Sequence, residues 1–129
     1  MQVEDARNDV LRITPMVVLD DIQPALTRYK DLGFTPVSSG DGGCVGTAAG
    51  HTALILATAA FMRGDYDALH VDPLVGQTIK YVHVTSISQV AERLPATAQI
   101  LQDVRTRGGT RELLVRDADD TLILAETID

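Results

Sequence analysis

A chain of 129 residues with 45% apolar side chains is long enough for one self-supporting core and too apolar for disorder. Its formal net charge of −7 speaks against nucleic acid, whose phosphates need a basic footprint. The single cysteine, Cys44, excludes an internal disulfide and suits a reducing compartment. The opening stretch MQVEDARNDV is charged and lacks an apolar signal segment, and no later run is long enough to span a membrane. A cytoplasmic protein with neither membrane nor nucleic acid as partner is therefore expected.

In chain order, the apolar, β-branched run 13–19 reads as a strand. Asp20 and Asp21 follow as candidate caps, with Pro24 tolerated in a first helical turn. Ile22, Ala25, Leu26 and Tyr29 fall at i, i+3, i+4 and i+7, which predicts an amphipathic helix ending at Gly33. FTPVSS, GGCVGTAAG and HTALILAT then read as three short strands separated by glycines. The stretch 59–77 is longer than an ordinary connection and reads as a lid or ordered loop.

The pattern then repeats. A second β-branched run, 78–84, leads to Thr85-Ser86 and a second helical pattern at Ile87, Val90, Ala91 and Leu94, offset by 65 residues from the first. Ser86 and Gln89 have capping-box spacing, and Pro95 helps to end this helix. AQILQDV, TRELLVRD and TLILAET supply three more strands, the last two joined at DADD. The string Leu-Ile-Leu-Ala occurs at 54–57 and again at 122–125. Each half thus reads β-α-β-β-β, and the fold class is α+β built from two βαβββ modules within one domain, about 11–58 and 78–127.

Two segments carry a family resemblance. DIQPALTRYKDLGF, from Asp21 to Phe34, and ELLVRDADDTLILAE, from Glu112 to Glu126, together with the internal repeat, resemble the vicinal oxygen chelate superfamily. That superfamily includes glyoxalase I, the extradiol dioxygenases and the bleomycin-resistance proteins. The resemblance implies a curved mixed sheet enclosing a cavity. Pro15 resembles the antibiotic-resistance branch. Three departures from the pattern are the DADD turn, Arg28 before Tyr29, and Thr97 at the end of the second helix.

Metal-dependent members place His, Gln or Glu at up to four strand positions, which the resemblance maps to Thr14, Ile79, Leu56 and Leu124. Isoleucine and leucine cannot ligate a metal and threonine does so poorly. No cofactor and no metal are therefore expected. His51, His70 and His83 show no metal-ligand spacing, and Cys44 has no nearby histidine in sequence.

Strand alternation puts Thr14, Met16 and Val18 on one cavity wall and Ile79, Tyr81 and His83 on another. The connection adds Phe61, Met62 and Tyr66, and Arg111 after Gly108-Gly109 is a further cavity candidate. The expected ligand-binding set is accordingly Met16, Phe61, Met62, Tyr66, Tyr81, His83 and Arg111. The expected function is metal-free binding of a small organic molecule, with sequestration of an antibiotic or toxic metabolite as its role. The negative field would favour a cationic ligand. The chain is expected to form a homodimer, as small members of the resembled family share or complete a cavity across a two-fold axis. The alternative is a glyoxalase- or dioxygenase-like enzyme, or an acid–base site pairing His83 with Glu126 or Glu112.

Overall fold

The computed structural model describes residues 9–128, with backbone alone at 38–41. The order of elements is β1 (Val10–Leu19), α1 (Gln23–Leu32), β2 (Thr35–Asp41), β3 (Cys44–Ala49), β4 (Thr52–Thr58), α2 (Ala59–Arg63), α3 (Ala68–Val71), β5 (Thr78–Val84), α4 (Ile87–Ala91), β6 (Gln99–Arg105), β7 (Thr110–Asp117) and β8 (Asp120–Thr127). The two βαβββ modules are present. Among the described residues they fall into two compact units, one spanning Thr14–Ile79, the other made of Lys80–Ile128 together with Asp9–Ile13. These units are called the first and second modules below.

In the first module β1 pairs with β4 in parallel, β4 with β3 and β3 with β2 antiparallel. In the second, β5 pairs with β8 in parallel, β8 with β7 and β7 with β6 antiparallel. The register repeats as well as the topology. Val17 opposes Leu56, and 65 residues on, Val82 opposes Leu124. The two Leu-Ile-Leu-Ala strings are thus the same strand used twice, hydrogen-bonded in parallel to the strand that opens each module.

One face of each sheet is closed by its helix. Ile22 and Ala25 at the start of α1 pack with Leu54 and Leu56, flanked by Val17, Leu19 and Val45. Ile87 of α4 packs with Val82, Val84, Leu113, Val115 and Leu124. Each fully buried leucine or isoleucine stabilises the fold by about 1.5–3 kcal/mol. These clusters fix which way every strand faces, since side chains alternate along it.

Helix α1 matches the sequence pattern. Asp21 Oδ1 accepts from the Gln23 amide at 3.0 Å, Pro24 sits in the first turn, and Gly33 closes the helix at φ 109°, a left-handed conformation that favours glycine. Helix α4 is shorter than its pattern, which extends to Leu94. The Arg93 and Leu94 amides bond three residues back, to Val90 and Ala91, a tighter turn leading into Pro95. The connection 59–77 is not a loop. It folds into α2, α3 and a 3₁₀ turn at Asp72–Leu74, with Thr58 and Asp67 capping the two helices through Phe61 N and Leu69 N.

Candidate functional site

Because Val82, Val84, Leu113, Val115 and Leu124 face α4, their neighbours on each strand face the other way. On that other face of the second module stand the half-buried Tyr81 and His83 of β5, together with Ile123 and Ala125 of β8 and Glu112 and Leu114 of β7, which are buried. The pairing brings Tyr81 opposite Ile123, and both Glu112 and His83 opposite Ala125. Glu112 therefore lies one strand beyond β8 from the two aromatic residues, within reach of the tyrosine hydroxyl.

Glu112 is the centre of a hydrogen-bonded group. It is 7% exposed, and its Oε2 accepts from Tyr81 OH at 2.5 Å and from Thr110 Oγ1 at 2.9 Å. Thr106 and Thr110 hydroxyls lie 2.7 Å apart, and Thr106 Oγ1 also accepts from the Thr110 amide at 3.2 Å. Since the Thr110 proton is given to the carboxylate, the Thr106 hydroxyl donates to Thr110. The protons run one way, from Thr106 through Thr110 to Glu112, with Tyr81 donating from the other side. A buried carboxylate needs such donors, for without them its desolvation would be uncompensated.

The His83 ring meets Tyr81 edge-on, with centroids 5.2 Å apart at 71°. Partial burial pushes the His83 pKa below its ordinary value, the Arg12 guanidinium pushes it further the same way, and the Glu112 carboxylate opposes both. Both influences disfavour the charged ring, and the neutral ring has one nitrogen able to donate and the other to accept. Arg12 reaches this neighbourhood because the start of β1 is held at the end of β5. The Thr85 amide donates to Asp9 O at 2.8 Å, and Arg93 forms an ion pair with the Asp9 carboxylate.

The residues expected from sequence divide. Tyr81 and His83 are brought together, and Glu112 joins them. Glu126, the other carboxylate weighed with His83, faces α4 instead, where its Oε1 accepts from the Ile87 amide at 2.6 Å. Arg111 also stands on the helix side of the sheet. It forms a two-point ion pair with Asp103, at 3.2 and 2.9 Å, which raises its pKa and lowers that of the aspartate. Met16, Phe61, Met62 and Tyr66 belong to the first module. Met16 occupies the face of β1 away from α1, while Met62 and Tyr66 are buried as core of the α2 region and Phe61 is half-buried.

Arg12 and Thr110 were not singled out by sequence. Continuing the β1 alternation back two residues from Thr14 reaches Arg12. Counting inward from the DADD hairpin puts Glu112 and Thr110 on the Tyr81 face, since Asp117 pairs with Asp120.

The positions mapped for metal ligands need one correction. Leu56 and Leu124 do not face away from the helices; each is packed with its module's helix. The residues on the opposite side of those strands are Ile55 and Ala57, and Ile123 and Ala125, none of which can ligate. Among the described residues no three His, Cys, Asp or Glu side chains come close enough to hold a metal ion. On the face of the second module away from α4, one imidazole and one carboxylate are the metal-donor groups among the described residues, and one carboxylate oxygen is already engaged by two hydroxyls. These residues do not fit the metal that the resembled enzymes use. No helix among the described residues is long and apolar enough to cross a membrane.

No protein-family model matches the sequence, and no curated protein matches it significantly. Solved structures do. A glyoxalase/bleomycin resistance protein/dioxygenase superfamily member from Vibrio splendidus 12B01 is similar over 91% of this chain and 98% of its own, at 17% identity and a TM-score of 0.58. Methylmalonyl-CoA epimerase from Mycobacterium tuberculosis is similar over 96% and 93%, at 15% identity and a TM-score of 0.60. The chain has the glyoxalase/bleomycin-resistance fold. Identities this low establish the fold alone, and this fold carries both binding and catalysis, so the chemistry rests on the residues. The bleomycin-binding protein of Streptomyces verticillus is also similar, at 18% identity over 90% of this chain and 93% of its own, but its TM-score of 0.33 carries no argument between branches.

Proposed function

We propose that this glyoxalase-fold protein binds a small organic molecule without a metal, beside the half-buried Tyr81 and His83 of its second module, and so sequesters an antibiotic or toxic metabolite. The observation that carries the reading is Glu112, a buried carboxylate anchored by Tyr81 and Thr110 beside the half-buried His83, with the buried Leu114, Ile123 and Ala125 on the same face. Ligand sites are largely apolar with a few convergent polar groups, and this face has that composition. The carboxylate favours a cationic ligand group, in keeping with the acidic chain. The protein acts as a cytoplasmic homodimer in this reading, and sedimentation showing a monomer at micromolar concentration would remove the dimer.

Elemental analysis of the purified protein tests the metal-free part. No stoichiometric transition metal is expected, and EDTA should leave the thermal midpoint unchanged, because a bound metal would stabilise by mass action. One equivalent of zinc, nickel, iron or manganese would sink it. For the site, a thermal-shift screen of small amines should yield ligands whose binding weakens by about 1–3 kcal/mol in Tyr81→Ala, the range for losing a buried aromatic anchor. Unchanged affinity in a folded Tyr81→Ala variant would remove the site from this face.

One observation favours a second reading. A His83 whose pKa is lowered by burial, near Glu112, suits proton transfer, so an acid–base enzyme without metal is the alternative. Turnover of a bound ligand that is lost in Glu112→Gln would decide for it.

A further inference from the structure

We infer that the second module recognises a zwitterion, a single small molecule bearing an ammonium and a carboxylate, beside the half-buried Tyr81 and His83, with Glu112 taking the cationic end and Arg12 and His83 taking the anionic end. The inference rests on the ligand-binding reading above and adds a second charge to it.

Placement supports the anionic end. Asp9 is fixed at the end of β5 through the Thr85 amide and the Arg93 ion pair. Strands β1 and β5 are neighbours there. Arg12 lies three residues after Asp9 and His83 two before Thr85, so the guanidinium and the imidazole stand on adjacent strands. Arg12 is exposed and forms no hydrogen bond or ion pair among the described residues. By contrast Arg63, Arg93 and Arg111 are each paired with an aspartate. A guanidinium offers a planar fork that matches a carboxylate at two points.

Arg12 and Glu112 are both within electrostatic reach of His83, acting on it in opposite senses, and the Tyr81 ring meets His83 edge-on. Arg12 supplies positive charge beside His83, and a ring N–H is available to the same carboxylate.

A ligand with only an ammonium would satisfy Glu112 and leave Arg12 facing its uncharged body. A ligand with only a carboxylate would meet Arg12 but bring a like charge toward Glu112. A molecule carrying both charges complements the pattern at both ends, and the like-charge contact excludes simple anions.

The test uses two matched sets of probes, phenylalanine with phenylalaninamide and N-acetylphenylalanine, and leucine with its amide and N-acetyl derivative. Binding is read by calorimetry and by the His83 ring resonances of the full chain. At least one free amino acid should bind tenfold or more tighter than its amide and its N-acetyl form. Arg12→Gln should erase the preference over the amide while leaving amide binding unchanged, and Arg12→Lys should restore part of it. Arg12 is exposed, so these variants are expected to fold, and unchanged far-UV and thermal profiles would confirm it. Equal affinity for amino acid and amide, with binding lost in Glu112→Gln, would overturn the zwitterion and leave the cation-binding reading standing. Absence of binding and of His83 shifts with all six probes at several millimolar would overturn both.

Discussion

The two modules share a backbone and differ on one face. Their registers align position by position, so the side chains can be compared slot for slot. Met16 opposes Ile55 in the first module, where Tyr81 opposes Ile123 in the second. Val18 opposes Ala57, where His83 opposes Ala125. Cys44 also opposes Ala57, in the slot where Glu112 opposes Ala125. Methionine, valine and cysteine fill three positions in one copy. Tyrosine, histidine and glutamate fill the same three in the other. On the helix side the apolar packing is repeated instead, since both copies write Leu-Ile-Leu-Ala and bury its second leucine, Leu56 and Leu124, beneath a helix. The side that holds the fold is duplicated, and the side that carries chemistry is specialised in one copy.

The largest test of this comparison addresses the duplicated side. Leu56→Ala and Leu124→Ala should each destabilise the protein by about 2–5 kcal/mol, the range for emptying a buried leucine site. The two leucines sit 0% and 3% exposed in equivalent slots, so their effects should be alike. Urea unfolding measures both. If one variant lost less than about 1 kcal/mol, that leucine would not be packed beneath its helix and the equivalence would break.

A smaller effect separates the two glutamates that sequence alone could not rank. Glu126 accepts from the Ile87 amide across the sheet, so it caps α4, a five-residue helix with little stability of its own. Its equivalent in the first module is Thr58, which caps α2 instead, while α1 takes its cap from Asp21. Glu126→Ala should cost about 0.5–2 kcal/mol, as for loss of a helix cap, and leave ligand affinity intact. Glu112→Gln should do the reverse, keeping the shape and both hydroxyl partners while removing the charge. Loss of binding in Glu126→Ala, with the fold intact, would reverse the assignment.

Much of this was legible in the sequence. The periods of the apolar residues set out the two helices and the strands, because a helix face and a buried strand face each need a regular spacing. The repeat of Leu-Ile-Leu-Ala located the parallel partner of each opening strand. Tyr81 and His83 were legible as a pair because they alternate on one short strand. Other features were hidden for physical reasons. The direction in which Leu56 and Leu124 point depends on where the helix lands, which strand alternation alone leaves two-fold ambiguous. The fold of 59–77 was hidden because its three helical turns are too short to show a period. Arg111 follows a glycine pair, which leaves its direction open in sequence, and its side was set by β6 pairing, which put Asp103 opposite Leu113 and within its reach. Arg12 stands in β1 ahead of the apolar run that marks the strand in sequence.

The smallest expected effect is the pH dependence of His83, and it bears on the same contrast, since Val18 in the first module cannot titrate. The folded-state pKa of His83 lies below the ordinary value of 6.5, chiefly through burial and then through Arg12. Above about pH 6.5 the ring is neutral in folded and unfolded chains alike, and pH makes no difference through this group. As pH falls below that value, the unfolded chain takes up the proton and the folded chain resists it. Stability attributable to His83 is therefore full above the ordinary pKa and declines as pH falls toward the folded pKa, with no further loss below it. Arg12→Gln removes one of the two depressing influences and should move the folded pKa upward, narrowing that window. Glu112→Gln removes the opposing influence and should move it downward. Proton NMR titration of the His83 ring in the three proteins reads these shifts directly. An unmoved pKa in Arg12→Gln would mean that the guanidinium does not face the histidine, and a rise in Glu112→Gln would mean the same for the carboxylate.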